Sequence, residues 1–221
     1  MTEMKVVSYI PIKLNNQRTP GKNIKEFDDG TPLCNFMFDT IAKVDGIDEK
    51  YCFCSDEIIK EYLPKEIKFL KRSTDLDQNT TQCHEIIKAF LDIVDTDIIV
   101  LTHVTCPFVK KETIEKCIEA VKSGKYDSAF SVARVREFMW KNNQPLNFDA
   151  SCAVKTQDLE PIYKETIGVY VFRKDMFLKT NRKVGLNPYL CEVGDYEDID
   201  IDYPCDFAIA NAVWMNILKK R

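Results

Sequence analysis

"KVVSYIPI" (Lys5–Ile12) runs directly into "KLNNQRTPGKN" (Lys13–Asn23), and this junction decides how the chain is read. The first segment is a short apolar run of strand length, which reads as a buried strand. The second places three cations (Lys13, Arg18, Lys22) and four side-chain amides where the strand should give way to a helix. Such a segment is poor core material and suits a negatively charged ligand. Pro20 and Gly21 bend the chain, letting Arg18 and Lys22 point toward one pocket. Arginine offers a rigid fork for phosphate oxygens and lysine a mobile point charge. Taken alone, a solvated basic turn explains the segment equally well, and a lone Gly21 excludes the GxxxxGK[ST] phosphate loop.

Working outward, short apolar runs alternate with helical periodicity. Helices are expected in "LCNFMFDTIAKV" (opened by Thr31 and Pro32), "DEIIKEYL", "CHEIIKAFLDIV", "KETIEKCIEAVKSG" and the closing "PCDFAIANAVWMNILKK". Strands are expected in "KYCFCS", "IKFLKR", "DIIVLTHV", "SAFSVARV" and "TIGVYVFRKDMF". This alternation predicts an α/β fold, a mainly parallel sheet covered by helices on both faces. The 221 residues form one domain, 1–221, in which 137–165 has strong turn signals without a period and reads as an inserted arm. Ligands of such sheets gather at the carboxyl ends of the strands, where the polar stretches after Ile12, Ser55, Arg72, Thr102 and Val135 lie.

Composition narrows the partners. The 31 Lys and Arg against 35 Asp and Glu leave a net charge of −4, which argues against a general nucleic-acid binder. No apolar run is long enough to span a bilayer, and "MTEMKVVSYI" carries no secretory signal, so a cytoplasmic protein is expected. Nine scattered cysteines without CxxC pairs read as buried thiols in a reducing compartment.

Late in the chain, "DIDID" (Asp198–Asp202) alternates carboxylates with isoleucines, which puts Asp198, Asp200 and Asp202 on one side of an extended segment. Adjacent carboxylates repel unless a cation neutralises them, and Mg²⁺ favours one or two carboxylates plus substrate phosphates. An acidic edge capping the last helix is the plainer explanation. The basic loop and the aspartates together suit a nucleoside triphosphate with its metal. His103 follows an apolar strand where an imidazole could accept a proton from an attacking hydroxyl, although a satisfied structural histidine is the duller reading. His84 is read as packing, and Phe138 and Trp140 as a subunit contact before a sugar pocket.

"PIKLNNQRTPGKNI" resembles the signature loop of the acylneuraminate (CMP-sialic acid) and Kdo cytidylyltransferases. The resemblance continues in order through "FLKRSTDLDQNTT", "LTHVTCPF", "ETIGVYVFR" and "DIDIDYPCDFAIA". It implies a Rossmann-like (GT-A-like) nucleotidyltransferase fold whose arm mediates homodimerisation. The implied reaction joins CTP and a small acidic sugar into a CMP-sugar and pyrophosphate, with Mg²⁺ as cofactor. By the same resemblance, Lys13, Asn15, Arg18, Lys22, Asn23, Arg72, Asn79 and Thr80 bind the nucleotide. Arg18, Lys22 and His103 are its catalytic candidates, and Asp200 and Asp202 its metal pair. Lys141, Gln157 and Lys164 fall near positions that approach the acceptor. Departures are informative. Lys13 replaces the usual Arg, His103 a Gln, Cys106 a Ser, and Thr156 an Arg common in sialate enzymes. Thr105 stands where Kdo enzymes carry a metal-binding Asp, which favours the sialate-like branch. The loss of the cation at Thr156 leaves a phosphorylated or phosphonate acceptor as a rival. A metal-dependent glycosyltransferase is disfavoured because its Asp-x-Asp usually lies mid-chain.

Overall fold

Strand β1 (Val6–Ile12) is buried at every position except Pro11, as its sequence requires. Strand alternation sends Val6, Ile10 and Ile12 into one core layer and Val7 and Tyr9 into the opposite one. The chain is seen here as a computed structural model that describes residues 4–152 and 154–220. Met1–Glu3 of the N-terminal segment and Ala153 of the arm lie outside the described residues.

Around β1 the sheet assembles in the order β3-β2-β1-β4-β8-β5-β9. Its other strands are β2 (Glu49–Cys54), β3 (Lys68–Lys71), β4 (Ile98–Thr102), β5 (Ser128–Val135), β8 (Ile162–Arg173) and β9 (Pro188–Glu192). All run in one direction except β8, which pairs antiparallel with both β4 and β5. The carboxyl ends of six strands therefore share one edge with the start of β8. Helices α1 (Leu33–Lys43) and α3 (Lys111–Lys122) cover one face, and α2 (Cys83–Leu91) and α4 (Lys174–Thr180) the other. Tyr9 stacks on Phe90 of α2 at 4.3 Å within that second layer. Helix α5 (Pro204–Asn216) closes a third cluster with Phe27, Phe108 and Ile201.

The structure matches the expected α/β sheet and corrects several details. "DEIIKEYL" forms a 3-10 segment, Glu57–Tyr62, because Asp56 caps it at Ile58 N and Pro64 follows at once. Pro32 occupies the cap position of α1 instead of its first turn. The "KDMF" end of the expected late strand is helix α4, and β9 was not anticipated. The last four residues of the expected arm, 162–165, already belong to β8. The arm's hairpin, β6 (Trp140–Lys141) and β7 (Gln144–Pro145), turns through Asn142 and Asn143 at φ 52° and 61°. All nine cysteines are free, but Cys83, Cys152 and Cys205 are exposed, contrary to the reading of buried thiols. No helix among the described residues is long and apolar enough to cross a membrane.

Gly168 of β8 marks the tightest approach in the core. A Cβ there would sit 2.6 Å from Val109 Cγ2. Gly168→Ala is expected to cost about 1–3 kcal/mol through overpacking, read as a lower urea midpoint with unchanged slope.

Candidate active site

Gly21 adopts φ 68°, a left-handed turn that launches the short 3-10 segment Lys22–Ile24 and turns Lys22 inward. Lys22 is only 6% exposed. Its ammonium donates to the Ile201 carbonyl at 2.5 Å and reaches Asp202 Oδ1 at 3.3 Å. Arg18 donates to the other oxygen of Asp202 at 2.8 Å and lies over the Tyr203 ring. Thr19 Oγ1 donates to the Asp202 carbonyl at 3.0 Å. Two segments about 180 residues apart in sequence thus meet at one point, the juxtaposition that the sequence requires for a shared site.

The aspartate segment is held from three sides. Ile201 is fully buried in the α5 cluster, and its N–H donates to the Thr105 carbonyl at 2.8 Å. Asp206 in the first turn of α5 accepts from the N–H groups of Asp202 and Tyr203 at 3.0 and 2.7 Å. Upstream, buried Glu197 accepts from Lys110 N and Gly194 N, each at 3.0 Å, and from Thr113 Oγ1 at 2.6 Å. It thereby ties the aspartate segment to the first turn of α3. Glu197→Gln turns an amide N–H₂ against these donors and is expected to cost about 2 kcal/mol, measurable by chemical denaturation.

Asp200 and Asp202 face the site together, whereas Asp198 turns away to pair with Lys164 at 2.9 Å. The expected row of three carboxylates is therefore a pair, because the chain is still in a turn at Asp198. Burial, reinforced by the nearby Asp202 charge, pushes the Asp200 carboxyl above the usual carboxylate range. Lys22 and the Thr105 and Cys106 side chains oppose that shift. Two hard, like-charged oxygen donors beside a basic loop fit Mg²⁺, which completes its shell with substrate oxygens and water. No cluster of three or more acidic, His or Cys residues that could hold a metal ion exists among the described residues.

At the β1–β3 side of the edge, a cavity of about 470 Å³ is lined by Asn15, Ser55, Lys71, Thr74 and Asp77, among others. Asp77 is its hub and was missed in the sequence. Its carboxylate accepts from buried Arg72 and from Ser55, each at 2.5 Å, and its carbonyl from Lys13 Nζ at 2.9 Å. Only its place in the polar turn "STDLDQNTT" hinted at this. Lys13 also donates to Asn79 Oδ1 at 2.9 Å, while Asn23 closes the basic loop by donating to the Lys13 carbonyl. Thr80 follows, and its carbonyl accepts from Gln82 Nε2. Among the described residues, buried Asn16 Oδ1, Asn23 Oδ1 and Arg72 Nε have no hydrogen-bond partner.

On the β4 side, His103 is pushed down to about 4 by burial, with Lys183 adding to the effect. So weak a base is poorly matched to abstracting a proton near neutral pH. Lys141 and Gln157 sit exposed in the arm, and among the described residues no hydrogen bond or ion pair links them to the Lys22–Asp202 centre. Thr156 lies in the same exposed stretch. Lys164 is committed to Asp198.

The family described as Cytidylyltransferase matches residues 8–218. The N-acylneuraminate cytidylyltransferase of Streptococcus agalactiae serotype V is 25% identical over 215 residues, covering 92% of this chain and 52% of that protein. The 3-deoxy-manno-octulosonate cytidylyltransferase 2 of Hydrogenovibrio crunogenus is 29% identical over 131 residues, 59% of this chain and 52% of that one. The chain thus spans about half the length of the curated relatives it matches. Among solved structures, a CMP-2-keto-3-deoxy-manno-octonic acid synthetase complexed with CTP has a similar fold. Its TM-score is 0.70 at 13% identity, with 96% of this chain and 98% of that one covered. With the family pattern running from within β1 to beyond α5, across both halves of the site, the chain belongs to the cytidylyltransferase family.

Proposed function

We propose that this protein transfers CMP from CTP to a sialic-acid-like sugar acid, releasing pyrophosphate. The observation that carries the proposal is the contact of Lys22 and Arg18 with Asp202 at the carboxyl edge of the sheet. The acceptor hydroxyl attacks the α-phosphorus of CTP, and the bond from that phosphorus to the α,β-bridging oxygen breaks. Lys22 and Arg18 neutralise charge that grows on the leaving oxygens. Arg72, Lys13, Asn79 and Asp77 shape the nucleotide cavity, with Asn15 and Thr80 at its margin. Mg²⁺, when bound, supplies further neutralisation of the triphosphate, and Asp200 and Asp202 are the residues that would hold it. His103 stays uncharged and offers a hydrogen-bond acceptor near the attacking hydroxyl. Nine unpaired thiols support action in a reducing, cytoplasmic compartment.

Pyrophosphate release from each of the four nucleoside triphosphates, with a panel of eight- and nine-carbon sugar acids, tests the reading. A marked CTP preference is expected, and equal use of all four triphosphates counts against it. The arm supports a homodimer: Phe138 and Trp140 are 43% and 58% exposed and pack only edge-on against Phe148. Sedimentation at micromolar concentration is expected to give twice the chain mass, falling to the monomer mass in a Phe138→Ser, Trp140→Ser variant.

A further inference from the structure

Thr156 leaves the acceptor without the cation expected in the arm, and the fold supplies one elsewhere. A cavity of about 390 Å³ opens between the start of α2 and the chain that follows α4. Gln82, His84, Glu165, Asn181, Arg182 and Lys183 line it. Its position is fixed on three sides. Gln82 and His84 directly follow the nucleotide loop that ends at Thr80. Glu165 adjoins Lys164, whose ammonium pairs with Asp198 at the start of the aspartate segment. Lys183 is close enough to His103, at the end of β4, to weaken that imidazole as a base.

Lys183 is the unusual member. Its ammonium lies 3.4 Å from the centroid of the Tyr170 ring, and burial depresses its pKa. Among the described residues neither Lys183 nor Arg182 takes part in an ion pair. Glu165 is the one carboxylate of the lining, and the Tyr170 hydroxyl already donates to it. Two cations against one occupied carboxylate leave a single net positive charge on this wall. That balance suits a monoanion, because Glu165 repels a dianionic phosphate more strongly than a carboxylate. A half-buried ammonium that lies on a ring face outside any ion pair, with Glu165 as its one nearby carboxylate, gains when an anion arrives.

We propose that Lys183 is the specificity-determining residue of the acceptor pocket, binding the carboxylate of the sugar acid in place of the arm cation that this sequence lacks. The inference rests on the cytidylyltransferase reading above. The test measures steady-state turnover of N-acetylneuraminic acid, Kdo, the neutral C1 carboxamide of N-acetylneuraminic acid and N-acetylmannosamine 6-phosphate, in wild type, K183M and K183R. CTP affinity of each protein is read separately by calorimetry. Wild type is expected to prefer a sugar acid over the carboxamide by about 30-fold in kcat/KM. K183M is expected to raise the KM of that acid about 30-fold and to abolish the preference, with CTP affinity within about threefold of wild type. K183R should restore most of the preference. A purely structural lysine would lower stability and leave the acid-to-amide ratio intact, which overturns the proposal. Preference for the sugar phosphate, or turnover of neither sugar acid by protein that binds CTP, overturns it while leaving the nucleotide reading standing. Failure of wild type to bind CTP removes both. Should K183M not fold, the wild-type ratio and K183R carry the decision, and a wild-type ratio near one overturns it.

Discussion

Lys22→Met is expected to lower kcat/KM for CTP by about 10³-fold, the scale set by removing one preorganised charged donor from a reaction centre. The position allows little compensation. The ammonium is buried and already oriented by the Ile201 carbonyl and Asp202, so a solvent molecule cannot replace it at equal strength. Methionine keeps the length and apolar stem, so the variant should fold and report charge alone. Lys22→Arg should rescue poorly, because a planar guanidinium does not fit a space shaped around a single donor pointed at one carbonyl. Steady-state kinetics in both variants, with a denaturation curve for each, separate lost catalysis from lost folding. A fall of less than about tenfold in the methionine variant would remove Lys22 from the reaction centre.

Asp200→Asn should move activity and stability in opposite directions. Turnover is expected to fall by at least about 10³-fold at fixed Mg²⁺, since one of the two carboxylates proposed to hold the metal is lost. The metal-free protein should melt higher than wild type at neutral pH. The sign follows from linkage. Burial beside Asp202 raises the folded-state pKa, so the folded protein binds this proton more tightly than the unfolded chain does. That contribution favours folding below the unfolded value of about 4 and is lost as pH rises through the raised folded value. At neutral pH the ionised group is therefore a burden that asparagine removes. The gain should shrink as the pH approaches about 4. Scanning calorimetry in EDTA across that range checks it, and a lower melting point for the variant at pH 7 would contradict the argument.

The parts of the fold legible in the sequence were those with strong local signals. β1 and β4 are uninterrupted apolar runs, α3 carries its period to a glycine stop, and the basic bend and the aspartates stand out as polar clusters in a chain of ordinary composition. What escaped had weak or misleading local patterns. α4 buries only Met176 and Phe177, so its seven residues look like the tail of the preceding strand. β9 is an edge strand with one buried side chain. The reversal of β8 has no local signature, since an antiparallel and a parallel buried strand read alike. Asp77 and Lys183 were invisible for a different reason. Each lies in a polar stretch that resembles any surface loop, and their meaning arises only when distant segments enclose them. Lys141 and Gln157 rest on resemblance alone, and both are exposed in the arm.

The twelve residues of β8 run from the mouth of the arm to the far border of the sheet, with a register shift against β5 between Glu165 and Tyr170. Along it lie Lys164, Glu165 and Tyr170, with β4 and β5 bonded to its two sides. Force applied to the arm by a second subunit would therefore enter β8 and reach the wall proposed to hold the acceptor before it reached β1 or β2. Quaternary assembly in such a molecule would be felt as sugar selectivity, with the grip on cytidine left almost untouched.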